Sequence, residues 1–254
     1  MFILVVKLKN LIGWVVAIGV LAAAVLLFGF NAVTGVFNTN SDLPIYSVDC
    51  PYKKLAITFD CAWGDADIPG ILDTLRKENV KATFFIVGQW AEKYPETLRQ
   101  IALEGHDIAN HGYSHLRMGA LDSSRIKAEI TQCGSVLNRI SGQKIELFRP
   151  PYGDYSKNVV KIAGSLGYYT IQWDVDSLDW KPGISKVEIL NRISSRVKIG
   201  SIILFHNDTP HTAELLPTII TMLKKNGYEL VPVSQMIFRE NFIIDFEGKQ
   251  KRST

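Results

Sequence analysis

Short apolar runs alternate with longer amphipathic stretches through most of this chain, and that alternation constrains its fold more than any other feature. Candidate strands cover 55–59, 82–87, 107–109, 145–148, 168–173, 201–205 and 228–231. Between them, apolar residues recur near every 3.6 positions over 68–79, 95–104, 123–141, 156–166, 186–198 and 212–226, the spacing of one helix face. Punctuation agrees: Asp122-Ser123 is placed to cap a helix start, and Gly142, Gly167, Gly200 and Gly227 stand where helices should stop. Repeated strand–helix units predict an α/β fold with a parallel sheet. It is either doubly wound or closed as an irregular (β/α) barrel of about seven strands.

The polar residues that stand out fall directly after these strands. Asp60-Cys61 follows the first, His111 and His115 the third, and Arg149 the fourth. Asp174, Asp176 and Asp179 follow the fifth, and His206 the sixth. In parallel α/β folds the carboxyl ends of the strands share one face, and sites are built there. Residues far apart in sequence are therefore expected in one cleft.

Two imidazoles four positions apart, His111 and His115, can meet on one metal ion across a single turn. With a third donor from the first strand they would hold a divalent ion with open positions. Such an ion lowers the pKa of bound water and polarises a carbonyl, the needs of hydrolysis. Asp60 then fits a general base and His206 an acid toward the leaving group. Arg149 can clamp a carboxylate, and Asp176 or Asp179 can orient an imidazole. Tyr152, Trp180 and Leu204 can wall a groove for a sugar or acyl group. Blander roles exist for each: Asp60 as a turn cap, Arg149 as a barrel-end ion pair, His206 as a loop histidine. Singly these compete, but all of them on one face do not.

Residues 11–30 carry no charge, and as a helix they match the roughly 30 Å hydrocarbon core of a bilayer. Lys7 and Lys9 precede this run and no basic residue follows before Lys53, so the positive-inside rule puts the N-terminus in the cytoplasm. The expected organisation is a cytoplasmic start (1–10), an uncleaved single-pass anchor (11–30) and a linker (31–50). A catalytic-type domain (51–240) outside the cytoplasm and a tail (241–254), frayed from 248 onward, complete it. Basic and acidic residues number 28 and 25 and interleave, which excludes a nucleic-acid binder. Three cysteines, Cys50, Cys61 and Cys133, with no CxxC, exclude a disulfide framework, and Cys133 reads as a small core hydrophobe. Oligomeric state leaves no mark in the sequence.

Five segments, in order, resemble the polysaccharide deacetylases, the carbohydrate esterases that include chitooligosaccharide and peptidoglycan deacetylases. Thr58-Phe59-Asp60 is similar to the motif carrying the catalytic base. His111-Gly112-Tyr113-Ser114-His115 resembles the two-histidine metal motif. Arg149-Pro150-Pro151-Tyr152-Gly153 resembles the motif whose Arg holds the base and whose Tyr N–H faces the oxyanion. Asp176-Ser177-Leu178-Asp179-Trp180 resembles the motif with an acid-orienting Asp and a groove-lining Trp. Leu204-Phe205-His206 resembles the motif of acetyl-pocket Leu and acid His. The resemblance covers about 51–240 and implies a (β/α) barrel short of eight units. It also implies metal-dependent removal of N-acetyl groups from a polymer containing N-acetylglucosamine or N-acetylmuramic acid. The metal would be zinc foremost, with cobalt or another divalent ion as substitutes. An anchor before such a domain is similar in layout to sporulation-associated deacetylases of Gram-positive bacteria, which implies a cell-membrane or spore-envelope location.

One position departs from the family pattern. Cys61 stands where a second Asp usually supplies the third metal ligand. Cys61 as a thiolate, which favours zinc, Asp65 reaching back, or two histidines completed by water are the three readings. The last leads to an alternative function, a catalytically weak glycan-binding or structural envelope protein.

Overall fold

The computed structural model describes residues 42–253. Its strands and helices follow the sequence spacing closely. β1 is Ser47–Val48 and β2 Lys54–Cys61; α1 (Ile68–Lys77) leads to β3 (Thr83–Ile86). Two short helices, α2 (Gly88–Lys93) and α3 (Pro95–Leu103), precede β4 (Asp107–Asn110). α4 (Ser123–Ser141), β5 (Leu147–Phe148), α5 (Lys157–Ser165), β6 (Tyr169–Thr170) and β7 (Val175–Asp176) come next. α6 (Lys186–Arg196), β8 (Ile202–His206), α7 (Thr212–Lys225) and β9 (Glu229–Leu230) complete the repeat, and β10 (Phe242–Ile244) and β11 (Lys249–Arg252) end the chain.

The caps show why these stretches stop where they do. Asp122 accepts from the Arg125 N–H at 2.8 Å, satisfying one free donor at the start of α4. Gly142 ends the same helix at φ 71°, a left-handed conformation glycine adopts without a Cβ clash, and its N–H returns to the Asn138 carbonyl.

Eight parallel strands form one sheet in the order β6-β5-β4-β3-β2-β8-β7, with β9 paired to the start of β2. β6 and β7 do not pair with each other, so the sheet curls into a half-barrel open on one side. This is the irregular barrel expected, with β7 as a strand unmarked in the sequence. The β2 side chains alternate: Leu55, Ile57, Phe59 and Cys61 pack against the helices, while Ala56 packs with Phe85, Ala109 and Ile202 inside the barrel. A third cluster, including Phe148, Ile130 and Val159, sits between the sheet and the α4–α5 pair. Cys133 is fully buried, as expected of a core hydrophobe.

The chain ends differ from expectation. Residues 248–253 are not frayed: β11 runs antiparallel to β10 and parallel to β1, and Gln250 is fully buried. Gln250 bonds the Phe238 N–H and carbonyl through its side chain. Two β-bridges, Ile45 to Ile171 and Ser47 to Ser201, tie the end of the expected linker to the barrel. The expected membrane helix at 11–30 lies outside the described residues, and among the described residues no helix is long and apolar enough to cross a membrane.

Candidate active site

Strand register brings the first pair of site residues together. Thr58 and Asp60 of β2 lie beside Leu204 and His206 of β8, and Leu204 in turn lies beside Asp176 of β7. All of these positions fall on one alternation, so the side chains of Asp60, Asp176, Leu204 and His206 line one cleft at the carboxyl end of the sheet. The cleft holds about 610 Å³.

Asp60 lines it, and Arg149 holds Asp60 from behind the cleft wall. Arg149 is fully buried; its Nη1 donates to Asp60 Oδ1 at 2.6 Å and to Thr58 Oγ1 at 2.9 Å. Its Nη2 donates to the Gln172 carbonyl, and its guanidinium lies 3.9 Å over the Phe85 ring. Burial alone would raise the Asp60 pKa, but Arg149, His111 and His206 overturn that and hold it below the usual carboxylate value. Asp60 is therefore ionised at neutral pH and anchored by one oxygen, the state a base requires.

The two histidines sit on the loop after β4 rather than on a helix. Gly112 (φ 74°) and His115 (φ 56°) turn the backbone so that both rings face the cleft, with centroids 5.2 Å apart. His111 Nδ1–H donates to the Arg149 carbonyl at 2.8 Å, which leaves the Nε2 lone pair free, 3.4 Å from Asp60 Oδ2. His115 stands between Trp63 and Tyr152, at centroid distances of 5.3 and 4.5 Å. Burial, with His111 beside it, pushes the His115 pKa down to about 3. Burial also lowers that of His111. Both rings stay neutral, as metal ligands must.

His206 faces them. Its Nδ1–H and its backbone N–H both donate to the fully buried Asp179 carboxylate, each at 2.8 Å, and the Thr212 hydroxyl donates to the same carboxylate at 2.6 Å. Burial draws the His206 pKa down, but the Asp179 hydrogen bond and the charges of Asp179, Asp60 and Asp176 reverse this, for a net rise. Asp176 Oδ1 accepts from the Leu178 N–H at 2.8 Å, and burial raises its pKa. Tyr152 (φ 60°) and Trp180 stand half-exposed at the rim, and Leu204 is buried in the wall.

Cys61 does not join this group. It lies within β2, registered against Ile86, and the alternation that turns Asp60 inward turns Cys61 into the helix-side core. Burial raises its thiol pKa well above the ordinary value, so it is no thiolate. Asp65 is also directed away, accepting from the Thr97 hydroxyl at 2.7 Å. Among the described residues no three His, Cys, Asp or Glu side chains converge to hold a metal ion. The donors fit an ion held by two neutral imidazoles with open positions and do not fit a third ligand at Cys61 or Asp65.

Trp63, Arg117 and Asp208 also line the cleft. Trp63 and Asp208 each stand two residues past the end of β2 and β8, so the post-strand rule finds them when it is extended by two residues. Nothing in the sequence marks Arg117.

A parallel half-barrel with an Arg-anchored carboxylate, two neutral imidazoles and an Asp-oriented histidine at its carboxyl mouth defines a hydrolase site. The model of the polysaccharide deacetylase family matches residues 47–171. The chain is 38% identical over 198 residues to a peptidoglycan-N-acetylglucosamine deacetylase of Bacillus cereus, covering 75% of this chain and 71% of that protein. It is 31% identical to the peptidoglycan-N-acetylmuramic acid deacetylase PdaA of Bacillus subtilis, over 74% of this chain and 73% of PdaA. Among solved structures, a CE4 family pseudoenzyme from Bacillus anthracis superimposes with a TM-score of 0.75 at 32% identity, over 84% of this chain and 71% of that one. The chain belongs to the polysaccharide deacetylase family, carbohydrate N-deacetylases that are hydrolases.

Proposed function

We propose that this chain removes N-acetyl groups from the glycan strands of peptidoglycan, with a divalent cation, zinc foremost, at His111 and His115. The observation that carries the reading is the facing pair of assemblies, Asp60 anchored by Arg149 on one side and His206 oriented by Asp179 on the other. A bound ion would supply Lewis acidity toward the acetyl carbonyl and the attacking water. Asp60 takes the proton as water adds to the acetamido carbon, and Arg149 keeps the carboxylate aimed and ionised. The Tyr152 N–H is the donor assigned to the oxyanion, and Leu204 receives the acetyl methyl. His206, held protonated by Asp179, gives its proton to the nitrogen as the C–N bond breaks, leaving acetate and a free amine. Trp180 and Asp176 hold the sugar at the rim. The uncharged run 11–30 would anchor the chain in the cell membrane, with this domain on the outer side, in the cell or spore envelope.

The inward Asp60 and outward Cys61 favour a second reading, a glycan-binding protein of low turnover, and the likeness to a pseudoenzyme supports it. Acetate release from N-acetylated peptidoglycan fragments and chito-oligomers, measured with added zinc or cobalt, separates the two. Turnover that disappears in His111→Ala together with bound metal supports the enzyme. Oligosaccharide binding that is indifferent to chelator, without acetate release, supports the binder. A reporter fused at the C-terminus should read as extracytoplasmic, and a cytoplasmic readout overturns the anchor.

A further inference from the structure

Every carboxylate lining the cleft already has a partner within the protein. Asp60 is paired with Arg149, Asp176 accepts from Leu178, and Asp208 accepts from the Gly64 N–H at 3.1 Å. Among the described residues Arg117 is the only lysine or arginine lining the cleft, and its guanidinium has no ion pair and no hydrogen bond there. It stacks on the Tyr152 ring, with the guanidinium carbon 4.5 Å from the ring centroid. Tyr152 is itself set by the left-handed turn at φ 60° and by the His115 ring against it, with centroids 4.5 Å apart. Stacking fixes the plane of a guanidinium and leaves its N–H edge unfilled, ready for a planar acceptor such as a carboxylate. Two successive 4.5 Å steps also place this cation within about 9 Å of the His115 ring.

We infer that Arg117 selects for a carboxylate on the same sugar whose N-acetyl group enters the cleft. The inference rests on the deacetylase reading and narrows its substrate. A sugar bearing a 3-O-lactyl ether, N-acetylmuramic acid, carries its carboxylate about five bonds from the acetamido nitrogen, a reach on the order of 6 Å. N-acetylglucosamine has only a hydroxyl there and leaves Arg117 unpaired. Relatives of this chain include deacetylases named for each sugar, so the choice is open within the family and Arg117 decides it here.

The test compares the full chain with Arg117→Gln and Arg117→Lys. Substrates are muramic-acid-containing glycan fragments, the same fragments with the lactyl carboxylate converted to its amide, and chito-oligomers. Wild-type kcat/KM should favour the free carboxylate over the amide by roughly tenfold, mostly through KM. Arg117→Gln should bring that ratio close to one, and Arg117→Lys should restore it only in part. Calorimetric binding of the acid and amide fragments is measured alongside, since it does not depend on turnover. Absence of turnover on every substrate sinks the deacetylase reading, while the binding comparison still reports on Arg117. Equal wild-type affinity for acid and amide, or an equal loss on both in Arg117→Gln, overturns the inference.

Discussion

At the scale of single residues, the site separates two carboxylates by what surrounds them. Asp60 has a buried cation to one side and is held ionised, whereas Asp179 is spent on orienting His206. Replacing Asp179 with Asn removes the charge that holds the His206 proton. The His206 pKa, raised in the wild type, then falls, so the alkaline limb of the pH–rate profile moves to lower pH and kcat drops by about 10²–10⁴. A profile whose alkaline limb stays in place would assign that limb to another group. Cys61→Ala tests the opposite kind of residue. Because the thiol packs in the core, the variant should retain the wild-type metal content and lose about 1–2 kcal/mol of stability. Metal loss measured by elemental analysis would make Cys61 a ligand after all.

At the scale of elements, neighbouring strands are tied by side chains as well as by their ladders. His106, buried just before β4, accepts the Ala82 N–H on Nδ1 at 3.2 Å, just before β3. Burial draws its pKa down to about 4, from an ordinary value of 6.5. Below pH 6.5 the unfolded chain gains a proton there that the folded chain refuses until about pH 4, so stability falls as pH drops through that window. The slope from this one group approaches about 1.4 kcal/mol per pH unit. Denaturant titrations at stepped pH should show that His106→Asn flattens the acid side by about one proton. An unchanged slope would mean that other groups carry the acid sensitivity.

At the scale of the whole molecule, the small sheet of β1, β10 and β11 is tied to the barrel through β1, by a bridge from Ser47 to Ser201 and a bond from the Val48 N–H to the Gly200 carbonyl. Gly200, just before β8, lies so near β1 that a Cβ added there would stand 1.6 Å from the Val48 carbonyl oxygen, at a φ of 81° that only glycine holds easily. β1 is thus wedged between β11 and the start of the strand that carries His206. Deleting residues 247–254 removes the Gly248 and Gln250 carbonyls that accept from Tyr46 and Asp49, and the buried Gln250 side chain. The loss should be about 3–5 kcal/mol, a drop in Tm of roughly 10 °C by calorimetry, because each bond contributes about 1 kcal/mol. A Tm within a degree or two of the full chain would make the C-terminal strand dispensable.

The strand–helix alternation, the caps and the gathering of Asp60, His111, Arg149 and His206 at the carboxyl ends of the strands were legible in the chain itself, although β2 and β8 run on through Asp60 and His206, because periodicity, cap chemistry and the parallel-sheet rule act locally or repeat. Strand β11 was not: KQKR carries no alternation that a pattern can read, and it becomes a strand only by pairing with β1 and β10. Cys61 was half legible. The period of two already separates it from Asp60, but only the continuation of β2 through residue 61 makes that rule apply. Arg117 gave no signal at all. Its place over Tyr152 depends on two left-handed turns from distant segments, His115 and Tyr152. The sequence by itself determined which groups are available and on which face of the sheet they gather. Tertiary structure decided which of them have partners and which are left open to a ligand, because partnership is set by register and packing between segments that are remote along the chain.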